Sequence, residues 1–236
     1  MWWFAALHAN LALLCRRTGG RAAGRKLLDA GCGTGGLLAH LTAALPDRAA
    51  PDGGMIGLDA DRFVCERARA KSGCPVCAGS VNALPFADGA FGLIVSADVL
   101  CHDGVEERAT LAQFHRVLCG QGVLILNLPA YSWLMSAHDR AVANVRRYTR
   151  RRVVRLLEDA GFRVLFATYW NTVLFPLMVL TRKLRSAGGG SNVKLYPPPV
   201  EVLCRAATGI EHAWLRRGGR LPFGGSLIAV AAKQAP

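Results

Sequence analysis

Lys26-Leu-Leu-Asp-Ala-Gly-Cys-Gly-Thr-Gly-Gly36 is the stretch of the chain that decides its fold. An apolar run of strand character leads into a turn with four glycines, and the apolar helical stretch Leu37–Leu45 follows. Strand, turn and helix in this order place the free N–H groups of a helix N-terminus against a bound ligand. Glycine lets the backbone approach that ligand closely and adopt positive φ. The turn alone does not identify the ligand, because many nucleotide sites share it.

An acidic residue at the end of the second predicted strand narrows the choice of ligand. The strand Met55–Leu58 ends at Asp59, and Asp61 provides an N-cap for a helix that reaches about Lys71. A carboxylate in the position of Asp59 accepts hydrogen bonds from two ribose hydroxyls. Since Asp61 caps the helix, Asp59 is left for the ligand. The pattern therefore predicts a cofactor that carries a ribose.

Strands and helices alternate along the rest of the chain, which predicts a mostly parallel, doubly wound α/β sheet. An N-terminal helix with one continuous apolar face is predicted over residues 2–15, with a linker at 16–25. Further strands are predicted at 75–79, 91–96, 123–128, 162–168 and 226–231. Further helices are predicted at 105–118, 149–160, 170–185 and 200–217, and loops at 46–54 and 186–199. The helix 105–118 is expected to end because of Gly120 and Gly122.

One domain is predicted for the whole chain, because 236 residues with 52% apolar side chains suffice for a single buried core. We divide it into four parts: the N-terminal helix and linker at 1–24, a cofactor-binding core at 25–169, a helical lid insertion at 170–224, and the last strand with the tail at 225–236.

The net charge of +13 implies an anionic partner such as phosphate, nucleic acid or an acidic membrane surface. A GC-rich genome is an alternative explanation, because most of the basic residues are arginines. The eight cysteines lie mostly in apolar segments and follow no secretory signal, which predicts buried free thiols in a cytoplasmic protein. Cys74-Pro-Val-Cys77 lacks a second pair at zinc spacing, so no metal site is expected.

No transmembrane segment is expected either. The apolar N-terminus is too short to span a bilayer, and polar residues and Pro176 interrupt the apolar stretch Val164–Leu180. Both stretches are candidates for peripheral contact with a membrane surface or with an apolar substrate.

Four sequence blocks resemble the class I S-adenosylmethionine-dependent methyltransferases of the type 11-like kind. They are Leu27–Gly35, Gly57–Asp59, Ala83–Phe91 and Asp98–His102, in the family's order and spacing. The resemblance implies a Rossmann-like doubly wound seven-stranded sheet with an antiparallel last strand, an N-terminal helix and a helical insertion before that strand. The C-terminal part looks like a bacterial branch of uncertain substrate. NAD is disfavoured, because the turn reads GxGxG and not GxGxxG.

The resemblance implies S-adenosylmethionine as the cofactor and S-adenosylhomocysteine as its product. Matched by position, the cofactor-binding residues are Asp29, Gly31, Cys32, Gly33, Gly35, Asp59, Ala60, Val81, Asn82, Ala97, Asp98 and His102. The chain departs from the family pattern twice. Ser80 stands where an Asp usually helps to bind the adenine amine, and Cys101 stands where a Glu is common before the histidine.

Methyl transfer from an activated donor needs mainly a positioned acceptor and the exclusion of water. A general base is needed only when the acceptor atom carries a proton of high pKa. The candidates for this catalytic role are His102, His138 and Asp139. The alternatives are a helix-start residue for His102 and a hydrogen bond that fixes a loop for the other two.

The acceptor is expected to bind to residues 129–148 and to the region that follows residue 169. Arginine forks suit phosphate and carboxylate groups, and residues 170–185 are apolar, which together suggest an acceptor with an apolar chain and an anionic head. Such an acceptor is lipid-like, prenyl- or phosphate-bearing, or a natural product. The predicted substrate-binding residues are Tyr131, Trp133, Arg146, Arg147, Tyr148 and Asn171.

Two alternative functions remain open at this point. The positive charge prompts an RNA methyltransferase, although no nucleic-acid module is appended and aromatic residues do not interleave with the basic run at 146–155. We therefore do not expect nucleic acid as the main partner. The other alternative is a binding module that keeps the fold without the cofactor, and the intact glycine turn with Asp29 and Asp59 argues against it.

Overall fold

The computed structural model describes residues 1–18, 25–46, 54–184 and 197–234. The strands are β1 (Lys26–Ala30), β2 (Met55–Asp59), β3 (Val76–Ala78), β4 (Phe91–Ala97), β5 (Leu118–Pro129), β6 (Phe162–Trp170) and β7 (Ser226–Lys233). The helices are α1 (Trp2–Thr18), α2 (Gly36–Ala44), α3 (Arg62–Ser72), α4 (Glu107–Val117), α5 (Ala137–Ala141), α6 (Arg150–Asp159), α7 (Phe175–Leu184) and α8 (Pro198–Arg216). The predicted linker and both predicted loops lie wholly or mostly outside the described residues.

The seven strands form one sheet in the order β3-β2-β1-β4-β5-β7-β6. Strands β1 to β5 pair in parallel, whereas β7 runs antiparallel to both β5 and β6. The predicted doubly wound, seven-stranded sheet with an antiparallel last strand is confirmed. The strand order reverses between β1 and β4, and in open sheets of this kind ligands bind beside the carboxyl ends of the strands at this point.

Two hydrophobic clusters cover the two faces of the sheet. On one face, α4 and α6 pack against every second side chain of the central strands, including Leu28, Ile94 and Leu126. On the other face, α1, α2, α3 and α8 pack against the alternate set, including Leu27, Val95 and Ile125. This alternation follows from the period of two residues along a strand. The loops lie at the two ends of the strands, between the helical layers.

The N-terminal helix belongs to the core. Its inward residues Leu7, Leu11 and Leu14 are buried, and Trp3 stacks on Trp170 of β6 with ring centroids 5.8 Å apart. The helix runs three residues beyond the predicted end, to Thr18. The predicted membrane contact of this segment gains no support from the structure, because the apolar face of α1 packs against the sheet and α8.

The predicted end of the helix before β5 is wrong in one respect. Helix α4 ends at Val117, and β5 begins at once and runs through both glycines that were expected to separate the two elements. Leu118 pairs with Phe91 and Val123 with Leu93, so β5 holds extra residues in a bulge between these pairs. Gly122 fits there because a Cβ atom would lie 2.7 Å from the Leu118 side chain.

Residues 171–225 connect β6 to β7 and contain α7 and α8. Helix α8 is joined to the N-terminal helix: its residue His212 hydrogen-bonds Asn10 of α1 at 2.8 Å, and the main-chain N–H of Trp2 donates to Glu201 at 2.9 Å. The role of this insertion as a lid stays a prediction. Within the described residues, none of the helices combines the length and the apolar character needed to cross a membrane.

Candidate functional site

The glycine turn after β1 closes over the carboxylate of Asp59. The main-chain N–H of Gly33 donates to Oδ2 of Asp59 at 2.9 Å, and the N–H of Asp61 donates to Oδ1 at 3.1 Å. Gly33 has a φ of 52°, and a Cβ atom added to it would meet no other atom within 4 Å. A Cβ on Gly31 would instead lie 2.2 Å from Val99. The turn therefore packs tightly against Val99 at Gly31, whereas at Gly33 it is open and a ligand can approach the backbone.

Asp29 is a buried carboxylate beside this turn. Its side chain is 1% exposed, and its Oδ2 atom has no hydrogen-bond partner among the described residues. Burial, and then the charge of Asp59, raise the pKa of Asp29 to about 7. An unpartnered carboxylate oxygen next to a second carboxylate fits a ligand with a positive charge. The amino-acid end of S-adenosylmethionine, with its ammonium and sulfonium groups, has this chemistry.

The remaining residues predicted for the cofactor differ in what they contribute. Cys32 is buried at the underside of the turn, and burial raises the pKa of its thiol, so it stays protonated. Ala60 is exposed just past β2, and Val81 is buried in the core beneath the loop after β3. Ala97 and Gly35 complete this edge of the sheet, Ala97 as the last residue of β4 and Gly35 as the N-cap of α2.

The side chain of Asn82 is committed to the protein. Its Oδ1 accepts the N–H of Glu106 at 2.9 Å and the hydroxyl of Thr110 at 2.8 Å, and its amide donates to the carbonyl of Gly104 at 2.9 Å. These bonds replace an N-cap for α4, since Glu106 makes no side-chain cap of its own. Only the backbone of Asn82 is left to face an adenine ring, and Ser80 Oγ accepts its N–H at 3.2 Å.

A chain of hydrogen bonds fixes Asp98 at the end of β4. The indole N–H of Trp170 donates to Asn127 at 2.8 Å, and the Asn127 amide donates to both carboxylate oxygens of Asp98 at 3.1 Å. Burial raises the pKa of Asp98 to about 7, and the Asn127 bond and the charge of Arg147 oppose this shift. Asp98 is therefore an oriented carboxylate that changes its charge near neutral pH.

His102 lies in the loop after β4, on the same edge of the sheet as Asp59. Burial lowers the pKa of His102, and the Asp59 charge works in the opposite direction. The imidazole is consequently neutral at pH 7. The neighbouring Cys101 is buried, with its thiol 3.2 Å from the Asp98 carbonyl and 3.1 Å from Asn144 Oδ1. Where related sequences carry a Glu, this chain has a neutral thiol.

Asp139 and Arg147 form a buried ion pair. Oδ1 of Asp139 accepts from Nη2 of Arg147 at 2.6 Å and from its Nε at 3.0 Å. Oδ2 accepts the N–H and the hydroxyl of Ser136 at 2.8 and 2.7 Å, in the capping box that begins α5. These contacts give Asp139 a structural role in place of the predicted catalytic one, and they direct Arg147 away from an acceptor. His138, the third catalytic candidate, is half-buried in α5.

Arg146 and Tyr148 support the His102 loop from behind. The Arg146 guanidinium donates to the carbonyls of Leu100 at 3.2 Å and Val105 at 2.6 Å, and also to that of His102. Tyr148 is fully buried, and its hydroxyl donates to Leu100 at 2.7 Å. The structure thus directs two predicted substrate residues, Arg146 and Tyr148, to the loop after β4, because its carbonyl groups need donors.

Strained backbone follows the carboxyl ends of three strands on one side of the sheet, β4, β5 and β6. Asp98, Tyr131 and Asn171 have φ values of 55°, 58° and 59°, and they follow β4, β5 and β6. Positive φ is unfavourable for residues other than glycine, and such strain is concentrated at functional sites. All three belong to the predicted site, although the sequence gives no sign of their conformation.

Five aromatic rings form what we call the aromatic wall, at the ends of β5 and β6: Tyr131, Trp133, Tyr169, Phe175 and Phe223. Tyr131 stacks on Tyr169 with centroids 5.1 Å apart and on Trp133 at 5.7 Å. Phe175, the first residue of α7, contacts Tyr131 at 5.8 Å and Phe223 at 5.6 Å. Trp133 and Phe223 are exposed at the surface, at 59% and 42%, whereas Tyr169 is buried behind them.

Arg150 borders the aromatic wall. Its main-chain N–H donates to the Tyr169 hydroxyl at 3.0 Å, and its charge partly offsets the raised pKa of Tyr131, which burial causes. Its side chain is exposed. Arg150, Tyr169, Phe175 and Phe223 were not among the predicted site residues. In the sequence, Arg150 stands out only as part of the basic run at 146–155, and the three aromatic residues come from separate segments.

Asn171 joins the wall to the helices that follow. Its N–H donates to Glu211 of α8 at 2.6 Å, and the N–H of Val173 donates to the same carboxylate at 2.8 Å. The Asn171 side chain is buried, and in the part of the chain that the structure describes its Oδ1 has no hydrogen-bond partner. It therefore offers a free acceptor at the base of the wall.

Comparison with known proteins identifies the family. A methyltransferase domain model matches residues 22–164, more than half of the chain. The 24-methylenesterol C-methyltransferase 2 of Oryza sativa subsp. japonica is 28% identical over 125 residues, which cover 50% of this chain and 31% of that protein. The chain thus spans about a third of that relative's length.

Two solved structures show the same fold at low identity. Geranyl diphosphate C-methyltransferase from Streptomyces coelicolor, in complex with S-adenosyl-L-homocysteine, has a TM-score of 0.60 at 14% identity, covering 95% of this chain and 78% of that one. A TehB-like SAM-dependent methyltransferase from Corynebacterium glutamicum has a TM-score of 0.57 at 15% identity, covering 96% and 88%. The family match shows that the chain belongs to the methyltransferase domain family, and its seven-stranded sheet has the fold of these two solved methyltransferases.

Proposed function

We propose that the protein methylates a small amphipathic acceptor with an apolar chain and an anionic head. The aromatic wall is the observation that carries this proposal. Its rings lie at the carboxyl ends of β5 and β6, next to the edge that holds Asp29, Asp59 and Asp98. Stacked, partly exposed rings provide apolar surface with little conformational freedom to lose on binding.

S-adenosylmethionine supplies a methyl group that is already activated for displacement. Asp59 would hold the ribose and Asp29 the cationic amino-acid end, as their positions at the ends of β2 and β1 suggest. The task left to the protein is to orient the acceptor and to exclude water. The loop held by Arg146 and Tyr148 would form one side of this space, and the aromatic wall the other.

Arg150 is the residue we assign to the anionic head. Arg146 and Arg147, which the sequence suggested, bind carbonyl groups and Asp139 within the protein. Arg150 has an exposed side chain next to Tyr131 and Tyr169. Two similar proteins are named for geranyl diphosphate and for a 24-methylenesterol as acceptors, and the first of these has an anionic head on an apolar chain.

Asp98 and His102 are the groups we propose for proton transfer, if the acceptor atom carries a proton. Asp98 has a pKa of about 7, and His102 is neutral at this pH, so both can accept a proton under ordinary conditions. Both lie on the loop that follows β4, at the point where the sheet order reverses.

The test measures cofactor binding first and methyl transfer second. Calorimetry with S-adenosylmethionine is expected to give binding at one site, and its absence would favour the cofactor-free module. Purified protein is then incubated with radiolabelled S-adenosylmethionine and either a total lipid extract or total RNA from the same cells. We expect label in the lipid fraction; label in RNA instead would contradict the proposed acceptor class and support the RNA alternative.

Two variants connect the transfer to the wall. Trp133→Ala and Arg150→Gln change exposed side chains, so both are expected to keep the fold and cofactor affinity while lowering transfer to lipid about tenfold or more. Arg151→Gln, also exposed and on the same helix, is the matched control. Equal transfer by all three variants would remove the wall and Arg150 from the acceptor site.

A further inference from the structure

Helix α8 has two apolar faces, although only one is needed for the core. The inward face buries Cys204, Ala207, Thr208, Glu211 and Leu215. The outward face carries Leu203, Ile210 and Trp214, which are 66%, 68% and 50% exposed. Their spacing of seven and four residues places them on one side of the helix, next to Val202 at 66%. A contiguous exposed stripe of this kind marks a contact surface.

A second set of exposed apolar side chains lies on the segment that enters and forms α7. Val173, Leu177 and Leu180 are each more than half exposed, at spacings of four and three residues. The N–H of Val173 donates to Glu211, which places this segment beside α8. We call the combined surface the α7–α8 face: Val173, Leu177, Leu180, Val202, Leu203, Ile210, Trp214 and Phe223.

Positive charge accompanies the α7–α8 face. Residues 160–236 contain ten basic and two acidic side chains, so this third of the chain carries +8 of the net charge of +13. Glu201 and Glu211, the two acids, turn inward and accept main-chain N–H groups of Trp2, Asn171 and Val173. Exposed basic side chains flank the stripe on α8 and just after it: Arg205, Arg216, Arg217 and Arg220.

We infer that the α7–α8 face docks on the surface of an anionic phospholipid membrane. A helix with an exposed apolar stripe and flanking arginines lies in the plane of the interface, with its apolar side chains among the lipids and its charges at the head groups. Charge distinguishes this occupant from a second copy of the chain. Two such faces would bring their arginines together, and the two acids of this region are already engaged: Glu211 is buried, and Glu201 lies 4.0 Å from Arg205.

The face leads to the aromatic wall. Phe223 belongs to both surfaces, and its ring contacts Phe175 at 5.6 Å. The Thr172 hydroxyl donates to the Phe223 carbonyl, which fixes this junction. This part of the inference rests on the proposed function: an amphipathic acceptor dissolved in the membrane would reach the wall without leaving the lipid phase. The docking itself does not depend on the identity of the acceptor.

Co-sedimentation of the full chain with vesicles tests the docking. We compare vesicles of phosphatidylcholine alone with vesicles of equal parts phosphatidylcholine and phosphatidylglycerol. Binding is expected only to the second kind, and it should weaken as salt is raised. The double variant Leu203→Gln with Ile210→Gln should bind at least about tenfold more weakly, since two exposed apolar side chains no longer enter the interface.

A charge pair and its matched control complete the experiment. Arg205→Gln with Arg217→Gln should lower vesicle binding about 25-fold, since each arginine near an anionic surface contributes about fivefold. Arg151→Gln with Arg155→Gln removes the same charge from α6 and should leave more of the binding intact. Circular dichroism and thermal melting of all variants establish that the fold is kept, because only outward side chains are changed.

Three outcomes would overturn the inference. The first is the absence of binding to anionic vesicles at low salt. The second is equal binding by the apolar variant and the parent. The third is a dimer in light scattering that the Leu203 and Ile210 substitutions dissociate, with no vesicle binding, which would make the face a contact between copies. Cofactor affinity measured in solution separates these results from a failure of the proposed function, since neither double variant touches the cofactor cradle (Asp29, Gly33 and Asp59).

Discussion

At the scale of single residues, the cofactor cradle (Asp29, Gly33 and Asp59) contains one carboxyl oxygen, on Asp29, that no group of the described residues binds. Asp29 has a buried, unpartnered oxygen, and burial followed by the charge of Asp59 raises its pKa to about 7. A cationic ligand binds the deprotonated carboxylate more tightly than the neutral acid. We therefore expect affinity for S-adenosylmethionine to fall by up to about tenfold per pH unit below about pH 7, and to level off above it.

Calorimetry across this range measures the effect, and Asp29→Asn should remove most of the pH dependence because the amide does not titrate. A parent protein whose affinity does not change between about pH 6 and 8 would contradict the prediction. S-adenosylhomocysteine, which lacks the sulfonium charge, is expected to show a smaller dependence if that charge contributes as well as the ammonium.

Asp59 supports a second prediction at this scale. Its carboxylate accepts the N–H groups of Gly33 and Asp61, and we propose that it also holds the ribose. Asp59→Ala should weaken cofactor binding by about 2 kcal/mol or more, since hydrogen bonds to charged groups contribute about 1.5–3 kcal/mol each. Unchanged affinity would refute the ribose role.

A matched control lies two residues further along the chain. Asp61 accepts the N–H of Phe63 at 2.8 Å and caps α3 without belonging to the predicted site. Asp61→Ala should cost about 1 kcal/mol of stability through the lost cap. It should have little effect on cofactor affinity, and a loss as large as that of Asp59→Ala would point to a disturbed turn rather than a lost ribose contact.

At the scale of the elements, the sequence correctly predicted the features that depend on residues close together in the chain, such as helix caps and turns. Asp61 and Thr149 cap their helices as expected, and the strand, turn and helix from residue 26 to 44 form as read from the sequence. The loop at 130–148 was a different case. Its arginines suit an anionic ligand, but they also suit a buried carboxylate or a row of carbonyls, and only the fold shows which of these lies within reach.

The aromatic wall was missed for a related reason. Its rings come from four separate segments, at 131–133, 169, 175 and 223, and these meet only because β5, β7 and β6 are neighbours in the sheet. The family resemblance implied the general topology, but it did not specify which side chains lie at the ends of these strands. Strand order and side-chain direction are tertiary properties, and residue spacing in the sequence does not encode them directly.

The buried pair of Asp139 and Arg147 yields a prediction about the loop between β5 and α6. Removing one partner leaves an uncompensated buried charge, so Arg147→Ala should lower the free energy of unfolding by about 3–5 kcal/mol. Arg150→Gln, a change at an exposed site nearby, should have an effect within about 0.5 kcal/mol. Urea unfolding of both variants checks this. If Arg147→Ala is as stable as the parent and loses only acceptor binding, the substrate role first predicted from the sequence is restored.

At the scale of the whole molecule, burial shifts the pKa values of two sets of side chains in opposite directions. Burial lowers the pKa of five histidines, to about 4 for His8, and less far for His40, His102, His115 and His212. The histidine contribution to stability is present above the ordinary value of 6.5 and is lost as pH falls. Burial raises the pKa of three carboxyls: Asp29, Asp98 and Glu211. Their contribution is present at low pH and is lost as pH rises through the folded-state pKa.

The balance between these sets predicts the pH dependence of folding. Between about pH 4 and 6.5 the histidines and the carboxyls oppose each other, whereas above 6.5 the histidines are neutral in both states and only the carboxyls act. Because Asp29 and Asp98 have pKa values of about 7 in the folded protein and an ordinary value of 3.8, folding takes up protons at these two carboxyls, and the free-energy cost of doing so grows up to and just beyond pH 7. The free energy of unfolding, measured with urea at constant ionic strength, is therefore expected to fall from about pH 6.5 to 8.

The double variant Asp29→Asn with Asp98→Asn is the control, and its free energy of unfolding should be nearly constant over this interval. If the parent protein instead gains stability between about pH 6.5 and 8, both carboxyls are ionised in the folded protein well below neutral pH. Asp98 would then not be the proposed base, and Asp29 would not cause the pH dependence of cofactor binding.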